Sequence, residues 1–274
     1  MKGIVRGAAL ELHEIVIPYE QGEFKYICPW GDSHIGVIGT NYKAMDSSVK
    51  FIKEKDAKVI LMGDLVDAIN PNDKRFDPKT LDPRVSIDNV ISDQYAILCE
   101  YIEKMDPSRI IGVHTGNHEE TIRLNYSRNI TYDLCRDYGL KYLGYSAWTR
   151  IIFKRPSHSE VFKMFSSHGY GGARYPATKQ WKIQHIINAL DDADLVLMGH
   201  VHDIQVGRIV KETIPTKGKL EVQQKTVGWM LTGSFLNKAE GVISYAEKLG
   251  LGSVKNGIAT FKILPEERKI HVEC

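Results

Sequence analysis

Short apolar runs that stop abruptly at small or polar residues recur along this chain. Residues 24–30 lead into Gly31-Asp32-Ser33-His34, 58–62 into Gly63-Asp64, and 109–115 into Gly116-Asn117-His118. Further on, 161–165 lead into Ser167-His168, and 195–198 into Gly199-His200. Runs of this length, bounded by turn residues, predict buried strands. Between them the spacing predicts helices over 42–55, 87–105, about 122–138 and 178–190, the last with Trp181, Ile183, Ile186, Ile187 and Leu190 as its core face. After residue 203 the texture changes to strands over 204–210, 221–231, 257–263 and 269–272, with a helix over 238–248. The expected fold is α/β: two packed β-sheets flanked by helices, in one domain over 1–274, with polar motif residues at the carboxyl ends of strands. Segments 70–83 and 169–176 directly follow motif residues and are expected to rim a site.

Composition narrows the class. At 274 residues and 43% hydrophobic content, a single large core is affordable, and 26% charged residues is ordinary for a soluble chain. The net charge of +2 gives no global attraction to nucleic acid or an anionic membrane. No apolar run approaches the roughly 20 residues of a membrane span. Lys2 and Arg6 are followed by Glu11, His13 and Glu14 rather than by a signal-peptide core. Cys28, Cys99, Cys135 and Cys274 fit neither a disulfide framework nor a CxxC metal pattern. A reducing, cytoplasmic setting with no membrane partner is expected, and oligomeric state is left open.

The chemistry lies in what the strands deliver. In order, the ends carry Asp32-x-His34, Gly63-Asp64-x-x-Asp67, Gly116-Asn117-His118-Glu119, His168 and Gly199-His200-x-His202. Groups at the carboxyl ends of neighbouring strands converge in space although sequence scatters them. Residues i and i+2 of an extended segment point to one side, so both members of Asp-x-His and of His-x-His can face one metal cluster. Imidazole, carboxylate and amide oxygen together suit borderline divalent ions such as Mn, Fe, Zn, Co or Ni.

This ordered set resembles the calcineurin-like metallophosphoesterase superfamily, whose signature is D-x-H, G-D-x-x-D, G-N-H-[ED], H and G-H-x-H. The resemblance spans roughly residues 24 to 235, with no motif position missing. It implies a metallophosphoesterase-type sandwich and a cofactor of two divalent metal ions, Mn being expected first. Asp32, His34 and His202 would hold one ion, Asn117, His168 and His200 the other, and Asp64 would bridge them. A hydroxide held between the ions would attack phosphorus, His118 would act as general acid, and Asp67 would orient His118. Members that serve as non-catalytic scaffolds typically lose ligands or this histidine, and this chain keeps them all.

Departures from the subfamilies bear on the substrate. The protein Ser/Thr phosphatases carry arginines where this chain has Ala68 and Thr115, so their phosphomonoester clamp is absent. Arg123, Arg174 or Lys74 could supply charge from elsewhere. A phosphodiester, in a nucleic acid or nucleotide, is the expected substrate, with a phosphomonoester as the alternative. Arg174-Tyr175 and Lys179-x-Trp181-Lys182 interleave cations with aromatics directly after His168, as single-strand binders do. Arg174 and Lys179 are therefore the expected substrate-binding residues.

Overall fold

A computed structural model describes residues 10–173, 175–215, 218–237 and 256–274. The helix expected over 238–248 and Arg174 lie outside the described residues. The strands are β1 (Glu11–Pro18), β2 (Lys25–Trp30), β3 (Lys58–Leu61), β4 (Ile110–Val113), β5 (Ser146–Arg155), β6 (His158–Ser167), β7 (Leu195–Met198), β8 (Ile204–Thr213), β9 (Gln223–Thr232), β10 (Thr260–Leu264) and β11 (Lys269–Glu273). The helices are α1 (Tyr42–Glu54), α2 (Val90–Met105), α3 (Asn117–Tyr126), α4 (Ile130–Tyr138) and α5 (Pro176–Ala189). Among the described residues no helix is long and apolar enough to cross a membrane.

Two sheets form. One runs β11-β10-β2-β3-β4 and the other β1-β5-β6-β7-β9-β8. The strands β2, β3 and β4 are mutually parallel, as are β6, β7 and β9. Period-2 alternation sorts their side chains into layers. Ile60 of β3 faces the other sheet, with Ile27, Phe162, Leu195, Leu197, Met230 and Phe261, whereas Val59 and Leu61 face outward toward α1, α2 and α4. On the second sheet, Val196 and Met198 of β7 face α5 through Ile183 and Ile187. The result is helices, sheet, sheet, helices, as the sequence pattern predicts. At Gly228 the two sheets pack closely. A Cβ there would stand 2.8 Å from Ile270 Cγ2 and 3.0 Å from Phe261 Cε1.

Three elements depart from expectation. The segment expected as one helix over 122–138 is two, because Ser127 takes a left-handed φ of 54° and Asn129 caps a new start. Strands β1 and β5, paired in parallel at the edge of the larger sheet, have no counterpart in the sequence reading. Their polar residues mask a regular alternation in which Ala147, Thr149, Ile151 and Phe153 are buried. On α5, Ile183 and Ile187 are buried, but Trp181 is 76% exposed rather than on the core face.

The inter-sheet layer should dominate stability. Phe261→Ala, which removes a fully buried ring, should cost about 3–5 kcal/mol in urea unfolding. A loss below about 1 kcal/mol would mean that this layer is not where cohesion resides.

Candidate metal centre

The segments that follow β2, β3, β4, β6 and β7 reach the same place. The ladder between β2 and β3 continues past the strands: Asp32 N–H donates to the Gly63 carbonyl at 3.1 Å, and His34 N–H to Asp64 O at 3.0 Å. Beyond this point the backbone is strained. Asp32, His34, Asp64, His200 and His202 have φ of 48°, 43°, 48°, 69° and 50°, a region costly for side chains of this kind. The pairs Asp32/His34 and His200/His202 are thus not extended segments, as their spacing led us to expect. Left-handed turns, not a pleat, aim them inward.

Two glycines let the loops touch. A Cβ on Gly63 would meet Gly116 N at 2.5 Å, and one on Gly116 would meet Asp64 N at 2.1 Å. Glu119 then ties these loops together. It is buried at the third position of α3, and its carboxylate accepts N–H bonds from Asp64 (3.0 Å), Leu65 (2.7 Å), Val66 (3.2 Å) and Gly116 (2.9 Å). Sequence reasoning missed this role. The available signal was a Glu three residues after a helix N-cap, the reciprocal half of a capping box. Burial first, then the Asp64 charge, pushes the Glu119 carboxyl up.

Around Asp64 the donor atoms converge. Its Oδ2 lies 3.5 Å from His168 Nε2 and 4.0 Å from His34 Nε2, and its Oδ1 accepts the His118 backbone N–H at 2.9 Å. His202 Nε2 is 3.1 Å from His34 Nε2 and 3.4 Å from Asp32 Oδ1. His168 Nδ1 donates to the Met62 carbonyl at 2.8 Å, so the neutral ring carries its lone pair on Nε2. That lone pair faces Asn117 Oδ1 at 3.1 Å as well as Asp64. With the ring neutral, three acceptors point at one spot, which either a proton on Nε2 or a bound cation satisfies. Asp32 Oδ1 and His200 Nδ1 are also buried without a hydrogen-bond partner. Proximity gathers Asp32, His34, Asp64 and His202 into one group and Asp64, His168 and His200 into another, with ligand atoms within 4.8 Å of one another in each. Asp64 belongs to both. The residues present fit two cations sharing one carboxylate.

The electrostatics agree with that arrangement. Burial opposes the Asp64 charge, but the His118 and His168 imidazoles outweigh it and hold the carboxyl well below the usual carboxylate range. His168 is pushed up to about 9: burial alone would lower it, and the Asp64 charge more than reverses this. Burial lowers His34 and His200, leaving both rings neutral and able to ligate.

His118 is buried beside this cluster, with Nδ1 against the carbonyl oxygen of Asp67. The Asp67 carboxylate lies 3.4 Å from His34 Nδ1 and 3.9 Å from His118 Nδ1. The main chain of Asp67, not the carboxylate expected for the role, makes the closer contact with His118. Against burial, the charges of Asp64 and then Asp67 raise the His118 pKa. His114, which sequence alone marked as buried rather than ligating, bonds Gly144 O at 3.1 Å and Ser166 Oγ at 2.8 Å. Burial pushes its pKa down to about 4.

Of the expected substrate residues, Lys179 is placed otherwise. It is 5% exposed, with Nζ 3.4 Å from Asp203 Oδ2. A buried ammonium needs such a counter-charge, so Lys179 pins α5 to the segment after His202 rather than reaching outward. Tyr145, which no motif flagged, packs its ring edge-on against His168 at 5.6 Å and is 40% exposed.

No family model matches this sequence, and no curated protein does. Among solved structures, the chain is similar to a conserved uncharacterised protein from Streptococcus pneumoniae TIGR4, described as a predicted phosphoesterase. Identity is 13%, coverage 91% of this chain and 94% of that one, and the TM-score 0.36. It is also similar to GAP50, the anchor in the inner membrane complex of Plasmodium, at 11% identity, 91% and 88% coverage and a TM-score of 0.42. The chemistry is therefore read from the residues themselves.

Proton and metal should compete for His168. In the metal-free protein its raised pKa stabilises the fold fully below pH 6.5, and that contribution is lost as pH rises through about 9. Metal binding runs the opposite way, because only the neutral ring has a lone pair to give. Mn binding at pH 7–8 should release about one proton per chain from this ring, and its affinity should rise with pH up to about 9. Calorimetry in buffers of different ionisation enthalpy reads both. Binding without proton release and without pH dependence would contradict this assignment.

Proposed function

We propose that this chain is a two-metal-dependent phosphoester hydrolase that favours phosphodiesters. The observation that carries the proposal is the buried set of carboxylate, amide and imidazole ligand atoms that converges around Asp64, two of them, Asp32 Oδ1 and His200 Nδ1, without a hydrogen-bond partner. Asp32, His34 and His202 would hold one ion, Asn117, His168 and His200 the other, and Asp64 both. Bound there, divalent ions, Mn before Fe, Zn, Co or Ni, would polarise the phosphoryl oxygens and make water a nucleophile at neutral pH.

The chain's own contribution to bond breaking falls to His118. Its Nδ1–H is held by the Asp67 carbonyl, so the proton it can give to a leaving oxygen is the one on Nε2. The charges of Asp64 and Asp67 raise the His118 pKa against burial and so favour the protonated ring that an acid role needs. Asp67 acts as positioning residue through its carbonyl, and its carboxylate adds the charge that favours the imidazolium.

The preference for diesters rests on what stands at the mouth. Ala68 and Thr115, where the resembling protein phosphatases carry arginine, are 3% and 2% exposed. Ala68 N–H is bonded to Gln94 Oε1 at 2.8 Å, and Thr115 Oγ1 donates to Tyr142 Oη at 3.0 Å. Neither presents charge. Arg123 and Arg75 are each in bidentate pairs, with Glu120 and Asp73. A dianionic monoester gains more from free guanidiniums than a diester does, so their engagement elsewhere favours the diester.

Hydrolysis of bis-p-nitrophenyl phosphate should vanish with EDTA, return with Mn, and exceed that of p-nitrophenyl phosphate. Higher kcat/KM on the monoester would transfer the assignment to a phosphomonoesterase. Activity insensitive to chelation would remove the metal from the reaction altogether.

His118→Asn should leave bound metal near two equivalents and lower kcat by roughly 10²–10⁴ on an alkyl diester. The loss should be much smaller on nitrophenyl esters, whose leaving group needs no proton. Equal losses on both would take the acid role away from His118, and a drop in metal content would instead make it a ligand.

A further inference from the structure

The lip of the centre on the His168 side is aromatic. Tyr170, Tyr175 and Trp181 are 51%, 74% and 76% exposed. Single exposed aromatics are common on protein surfaces, but these three occupy one structural unit. Lys182, next to Trp181, donates its ammonium to the Tyr170 carbonyl at 2.6 Å and also to that of Gly171. Its Nζ stands 5.1 Å from the Tyr170 ring. Helix α5 is thereby tied to the loop that leaves His168. Its first turns are tied as well to the segment leaving His202: Gln205 Nε2 donates to the Pro176 carbonyl at 3.1 Å, and Lys179 pairs with Asp203. The helix that carries Trp181 is therefore bracketed by the segments bearing His168 and His202. Tyr145, 40% exposed, stands edge-on to His168 itself.

Charge points the same way. Residues 169–190 contain no carboxylate at all, and although Lys179 is neutralised by Asp203, Arg174 and Lys182 remain as cations of the segment. An indole and two phenols in an acid-free segment beside a phosphoester site match what an unpaired nucleic-acid strand presents: flat bases on a polyanionic chain. In a duplex those faces are already stacked on one another. We propose that Tyr170, Tyr175 and Trp181 form a stacking platform for the bases of single-stranded nucleic acid, feeding its backbone to the metal centre. The platform deepens the phosphodiesterase reading and rests on it for the fate of the strand, but not for binding.

The test is fluorescence anisotropy with a fluorescein-labelled oligothymidine of about 15 nucleotides, on the full chain both as purified and with EDTA. Binding is then read whether or not cleavage occurs. Single strands should bind more tightly than a duplex of the same length, and binding should weaken with salt. Trp181→Ala and Tyr175→Ala should each raise Kd by roughly 5- to 100-fold, with Trp181→Phe recovering most of the loss. Trp30 and Trp229 are buried and Trp148 is half-buried, so quenching of the exposed indole signal on oligonucleotide addition reports stacking on Trp181. A thermal melt of each variant, expected to match the wild type for side chains this exposed, separates lost binding from lost folding. Wild-type affinity in Trp181→Ala, equal affinity for duplex, or no binding while bis-p-nitrophenyl phosphate is still hydrolysed would overturn the platform. In the last case the aromatic face would belong to a protein partner, and the phosphodiesterase reading would stand. Binding as described, with no hydrolysis of any diester, would keep the platform and sink the phosphodiesterase reading instead.

Discussion

Keeping the Asp64 carboxylate charged where water cannot reach it governs the middle of this molecule. The residue is 1% exposed, and an isolated buried carboxylate would cost more than a fold of this size has to spare. Its surroundings offset that cost with the His118 N–H on one oxygen and the His168 and His34 rings near the other. A second buried carboxylate, Glu119, lies against the same loop, satisfied by four backbone N–H groups. Two negative charges so close together raise the local demand for cations beyond what the imidazoles supply. The same demand that lifts the His168 pKa makes the place hospitable to divalent ions.

Holding this arrangement means holding strained backbone. Five residues of the cluster sit at positive φ, each at about 1–3 kcal/mol, which together approaches the whole net stability of a typical domain. Loops alone could not sustain it. The parallel ladder extends past the ends of β2 and β3 to grip Asp32 and His34. On the far side, Phe235 N–H and Ser234 Oγ both bond the Asp32 carbonyl. Behind these contacts stand the three apolar layers, whose short strands are buried throughout. The layers are thus what holds the loops that carry the donor atoms.

The mouth obeys a different logic from the floor. On the floor, buried carboxylate, amide and imidazole groups converge on one another. At the mouth, Lys179, Arg75 and Arg123 are engaged with carboxylates of the chain itself, and aromatic rings stand in water. Selectivity there would come from stacking and shape more than from guanidinium clamps.

The donor residues and their strand-end placement were legible in sequence, because a buried strand must be apolar and must stop where the chain turns. The two packed sheets were legible in the same runs, whereas the facing of Ile60 and Val59 to opposite layers came from the structure. What sequence could not settle were facts about two segments meeting. Glu119 is one residue of a helix start until the Asp64 loop comes to rest on it. Asp67 contacts His118 through a carbonyl that every residue possesses, and the ammonium of Lys179 finds Asp203 only after α5 has docked. Trp181 fits the apolar spacing of α5 as well as Ile183 does, yet the sheet beneath admits one stripe and leaves the indole in water. Strands β1 and β5 hid because polar residues among those that alternate with their buried ones break up the apolar run. Sequence determined which chemical groups arrive at the centre, since side-chain identity and strand termination are local. Tertiary structure alone decided which of them touch, because a contact is a property of two loops and of the packing that holds both.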